Sequence, residues 1–182
     1  MKTIAACALL ACVTATFLSN PAQGSETTPL PGTVLAGQGT MRFFGLEVYQ
    51  ARLWVSPGFA PERYGDQPLA LALTYQRNFT AQAIAKRSIE EMRRVAPFSA
   101  EQAERWQAAL QAALPDVKPG DTLTGIYRPG GGAVFRMGDK VVGKVADPEF
   151  ARLFFGIWLS PNTSEPALRQ ALLASRSTAG SP

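Results

Sequence analysis

A chain of 182 residues is long enough for one domain with its own core and too short for two comfortable ones. Its composition, 46% hydrophobic and 18% charged, excludes disorder as the default state. The formal charge of +4 is scattered rather than gathered in a run, and no nucleic-acid motif accompanies it, so nucleic acid is excluded as an expected partner.

The N-terminus has the three parts of a secretory signal. Lys2 supplies the positive charge, Ile4 to Leu18 the apolar stretch, and Ala22-Gln23-Gly24 the small residues of a cleavage site. Residues 1–24 are therefore expected to be removed on export, leaving a periplasmic or secreted protein. A lipoprotein at Cys12, after Leu9-Leu10-Ala11, is the alternative, with a shorter apolar core. The apolar stretch falls short of the ~20 residues that span a bilayer, and no transmembrane segment is expected in the mature chain.

Cys7 and Cys12 both lie in this signal, and the chain has no histidine. The mature protein is thus expected to lack a Ser-His-Asp triad, a Cys-His pair, a disulfide and a His-based zinc site. No metal or cofactor is expected, and any catalysis must rest on Arg, Lys, Tyr, Ser, Thr, Asp or Glu.

Residues 25–32, polar and proline-bearing, read as a flexible lead-in to a single domain over 33–175. Alternation predicts strands at about 33–42 and 46–55 around a turn at Phe44-Gly45. In the second, Glu47, Tyr49, Ala51, Leu53 and Val55 share one face. Pro57, Gly58, Pro61, Gly65 and Pro68 mark a loop, and a third strand follows at about 69–77. Thr80 caps a helix on which Ile84, Ser88, Met92 and Val95 share a face, and Pro97 breaks it. Ser99 and Gln102 form a capping box for a second helix with a stripe of Ala103, Trp106, Leu110 and Ala113.

Strands then return at Thr122 to Arg128, Ala133 to Met137 and Lys140 to Val145, the last two joined by Gly138-Asp139. Asp147 caps a helix with Pro148 in its first position. Its run PEFARLFFGIWL is apolar on nearly every side and so predicts deep burial. Ser164 is expected to cap a last helix to about Ala174, with residues 176–182 a disordered tail. Two groups of strands around a helical pair predict an α+β fold.

Other constellations read as structural. Glu90-Glu91 with Arg93-Arg94 is a solvated helix face with short-range pairing. Gly130-Gly131-Gly132 does not open a helix as a phosphate loop must. Asp139 suits a hairpin turn, and Asp116, Asp121 and Asp147 lack calcium-loop spacing.

Gly37-Gln38-Gly39-Thr40-Met41-Arg42 followed by GLEVYQARLWV resembles the start of the chalcone-isomerase-like family, exported bacterial branch. ALALTYQRNF (70–79), Trp106, GDTL (120–123), the hairpin from Val134 to Val145, DPEF (147–150) and FFGIWLSPNTS (154–164) continue the likeness in order. The resemblance implies a largely antiparallel sheet with a layer of helices packed on it. Plant members of the family cyclise chalcones by intramolecular addition, while others bind fatty acids and catalyse nothing.

The resemblance also implies that Arg42, on the first strand, faces the ligand cleft. A guanidinium there suits a carboxylate or a developing oxyanion. Tyr49, Trp54 and Tyr75 are the next candidates, because a buried hydroxyl or indole N–H seeks a polar partner. The polar set that plant enzymes carry over the cleft is not matched by Asn78, Thr80 and Ser88. The expected function is therefore binding of a small apolar or aromatic ligand, such as a fatty acid, with Arg42 at its head group. The alternatives are an intramolecular lyase with Arg42 catalytic, and a periplasmic protein partner acting through a surface patch.

Overall fold

The computed structural model describes residues 28–174. The expected signal at 1–24 and the expected tail at 176–182 lie outside the described residues. Alternation forms strands β1 (Val34–Phe43), β2 (Leu46–Val55) and β3 (Leu69–Tyr75). Helices α1 (Ala81–Val95) and α2 (Ala100–Ala113) come next, then β4 (Thr122–Tyr127), β5 (Ala133–Met137) and β6 (Lys140–Val145). Helices α3 (Pro148–Leu159) and α4 (Pro166–Leu172) close the domain. The six strands form one sheet in sequence order, antiparallel throughout. Because β3 and β4 are neighbours, the helical pair between them is an excursion to one face of the sheet.

The caps fall where the side chains predict. Thr80 accepts from Ala83 N–H, Ser99 and Gln102 satisfy one another's backbone N–H groups, and Asp147 accepts from Phe150 N–H. Asp147 also accepts from the Trp106 indole at 2.7 Å, which ties the start of α3 to α2. The last helix differs from expectation. Glu165, not Ser164, holds its N-cap position without a side-chain cap, while the Thr163 hydroxyl accepts from Glu165 N–H. The proline-rich loop contains a 3-10 turn over Pro61–Asp66 that buries Tyr64.

Alternation gives the sheet two different faces. Ala51, Leu53, Leu71, Leu73 and Phe135 face the helices in the main core. Trp54, Ala70, Ala72 and Ile126 make a small apolar cluster on the opposite face, covered in part by Leu30. Packed structure therefore begins before residue 33, inside the segment expected as a lead-in, where the Thr33 hydroxyl donates to Leu30 C=O at 2.6 Å. Helix α3 contacts α1, β4 and β5, which is why it is apolar on nearly every side.

The Gly-x-Gly of β1 has a packing cause. A Cβ on Gly37 would collide with the backbone carbonyls of Ala171 and Leu172, and one on Gly39 would meet Leu168 and Ala171. Two missing side chains let α4 lie directly on the sheet.

Candidate functional site

Between the sheet and the helices lies a cavity of about 560 Å³, within the usual range for small-ligand sites. Buried Leu73, Leu114, Leu123 and Phe154 form its floor. Tyr49 and Tyr75 stand on the sheet side, Ile84 and Ser88 come from α1, and Ile157 and Trp158 from α3. Phe43 and Leu46, both more than half exposed, stand at the mouth with Arg77 and Arg87.

The polar groups inside are mostly engaged. The Trp158 indole donates to the Tyr49 hydroxyl at 2.9 Å, and the Ser88 hydroxyl is spent on Ile84 C=O at 2.8 Å. Glu91, only 7% exposed, is held by Arg87 at 2.5 Å and by Arg94 at 3.3 Å. It is therefore a buried carboxylate between two guanidiniums, not part of a solvated helix face as its charge pattern suggests. The Tyr75 ring is packed edge-on to Tyr49 and tilted against Phe79, and Tyr75 is 4% exposed. Among the described residues its hydroxyl has no hydrogen-bond partner, and it is not sealed from the cavity.

Burial raises the Tyr49 hydroxyl to about 12, with the Trp158 N–H pulling partly in the other direction. Burial pushes Tyr75 higher still, and the neighbouring Tyr49 adds to it. Both phenols are thus neutral near pH 7 and keep an O–H proton rather than serving as bases.

Of the four residues singled out from sequence, the cavity brings together Tyr49 and Tyr75. Trp54 does not line it, because its place in the alternation of β2 points it into the cluster on the opposite face. Arg42 does not line it either. Its neighbours Met41 and Phe43 face the cavity, so regular alternation turns Arg42 outward, where it pairs with Glu47 at 2.5 Å. A register shift between Met41 and Arg42 places Met41 opposite Tyr49 and Arg42 opposite Glu47. One residue, Val48, is left over. That bulge moves Glu47 off the face it was expected to share with Tyr49 and brings Leu46 and Val48 to the cavity instead.

Sequence reasoning missed Arg77, Arg87, Glu91 and Trp158. The α1 residues were recoverable: Ile84, Arg87, Ser88 and Glu91 follow the three- and four-residue steps of one helical face. Trp158 was hidden in an apolar run that marks every side chain alike.

A profile of chalcone isomerase-like domains matches residues 27–174. The chain belongs to the chalcone isomerase-like family. Within it, the chain is 30% identical over 126 residues to an uncharacterized protein of Haemophilus influenzae. That match takes in 69% of this chain and spans 60% of the length of the relative. The chalcone isomerase-like domain also superimposes on the crystal structure of a fatty-acid binding protein from Arabidopsis thaliana with a TM-score of 0.62. The superposition covers 83% of this chain and 91% of the plant protein at 12% identity, so the likeness is one of fold. Among the described residues no cluster of His, Cys, Asp or Glu is suited to a metal ion, and no helix is long and apolar enough to cross a membrane.

Proposed function

We propose that this chalcone isomerase-like domain binds a small, mostly apolar anion of the fatty-acid kind, without catalysis. The apolar cavity carries the reading: its floor of Leu73, Leu114, Leu123 and Phe154 suits an alkyl tail. Each buried methylene contributes about 0.8 kcal/mol, so ten give roughly 8 kcal/mol before the costs of association. Micromolar affinity or weaker is the scale to expect, since 1 μM corresponds to about 8 kcal/mol.

The acid head group lies at the mouth. Arg77 and Arg87 are the guanidiniums that line it, and Arg77 Nε donates to the Glu47 carbonyl at 3.2 Å. Arg87 already pairs with Glu91 and Arg42 with the carboxylate of the same Glu47, so either joins the head group by sharing or giving up an ion pair. Of the two, only Arg87 lines the cavity. A ring-closing lyase needs an anion stabiliser with a positioned hydroxyl network, and the outward pairing of Arg42 disfavours the version in which Arg42 is the stabiliser. The signal-like residues 1–24 support a site of action outside the cytoplasm, which N-terminal sequencing of the mature protein tests.

The binding test is calorimetric titration of the mature protein with hexadecanoate, comparing wild type, Arg87→Ala and Arg42→Ala. Micromolar binding by wild type, weakened several-fold by Arg87→Ala and less by Arg42→Ala, supports the reading. No heat and no displacement of a fluorescent fatty acid by hexadecanoate sinks it.

A further inference from the structure

Tyr75 is the polar group that a plain fatty acid leaves without a role. It sits on the inner face of β3 at 4% exposure, between the rings of Tyr49 and Phe79. Two other donors of the sheet and helix walls have acceptors: the Trp158 indole has Tyr49, and the Ser88 hydroxyl has Ile84 C=O. The Tyr75 hydroxyl has none among the described residues. A phenylalanine would fill the same apolar space without that hydroxyl.

We infer that the cavity selects an apolar ligand with an oxygen acceptor part-way along its body, such as a keto or hydroxy fatty acid, which the Tyr75 hydroxyl recognises. The inference rests on the reading that the cavity takes an acyl chain. Water can satisfy Tyr75 while the cavity is empty, but an entering alkyl chain expels it and leaves a buried donor unpaired. A ligand oxygen at that depth restores the bond, and a site built to bond an oxygen rejects the analogue that lacks it. The oxygen belongs in the interior of the chain and not at its acid end. Arg77 lies two residues beyond Tyr75, past the end of β3, and stands at the mouth with Arg87. Tyr49 reinforces the preference: its oxygen is occupied by Trp158, and its proton is left for the same space.

The test titrates wild type and Tyr75→Phe with hexadecanoic acid and with hexadecanoic acids carrying one keto group at successive positions. In wild type, affinity should peak at one position about tenfold above the plain acid, or 1.4 kcal/mol. Tyr75→Phe should erase the peak and bind the plain acid as tightly as wild type or more so, which also shows the variant is folded. A wild type that prefers the plain acid to every keto acid overturns the inference while leaving acyl binding standing. So does a peak that survives in Tyr75→Phe. If neither plain nor keto acids bind, acyl binding itself fails and the inference falls with it.

Discussion

Raising the pH should unfold this domain between about pH 10 and 12, through tyrosine. All four tyrosines are pushed above the ordinary value of 10 by burial, Tyr49 to about 12 and Tyr75 higher, with Tyr64 and Tyr127 also raised. Below pH 10 the phenols are neutral in both states, and their contribution to stability is fully present. Above pH 10 the unfolded chain releases protons that the folded chain keeps. It then binds fewer protons than the native state, so stability falls as pH rises, and the contribution of Tyr49 is gone once pH passes about 12. A shift of two units corresponds to about 2.7 kcal/mol for Tyr49 alone, a large part of the 5–15 kcal/mol that holds a typical domain together. The assay is near-ultraviolet phenolate absorbance followed together with circular dichroism. Ionisation of Tyr49 and Tyr75 should coincide with loss of the folded signal, and Tyr75→Phe should make the alkaline loss of stability shallower. A phenolate signal that appears at pH 10 with circular dichroism intact, and vanishes in Tyr49→Phe or Tyr75→Phe, refutes the reasoning.

Two further outcomes are expected of the scaffold. Gly37→Ala should cost about 2 kcal/mol or more in urea denaturation, because the new methyl meets the backbone of α4 and no flexible side chain can yield. Unchanged stability would mean that α4 can lift off β1 at no cost. Phe44→Asn should raise stability by about 1 kcal/mol: Phe44 has φ +48° and is 89% exposed, so it bears left-handed strain with little burial in return. A thermal midpoint that falls on this substitution would show that the Phe43–Phe44 ring contact outweighs the strain.

Much of the frame was legible locally. Thr80, Ser99 with Gln102, and Asp147 announce their helices because a cap is a contact over a few residues. Gly138-Asp139 announces its hairpin for the same reason, and alternation separates the inner from the outer face of β2 and β3. The ordered series of family-like segments named the fold that the sheet then displays. The glycines of β1 were visible as a motif, but their cause was not: the helix that needs them lies more than a hundred residues further on.

The candidate site was legible in half. Tyr49 and Tyr75 sit on the regular inner face, so period-two reading finds them. Regular alternation turns Arg42 outward, but the face of Glu47, and so the partner of Arg42, depends on a bulge in β2 that leaves no mark in composition. Glu91 has the look of a solvated charge until Arg87, Arg94 and the packing of α1 on α2 and α3 enclose it. Residue order alone determined the strands, the caps and the absence of histidine, since each is a local or compositional property. Tertiary packing alone decided which side chains share the cavity, because α1, α3 and the end of the β1–β2 hairpin meet there across long stretches of chain. It also decided that the Tyr75 hydroxyl has no protein partner among the described residues.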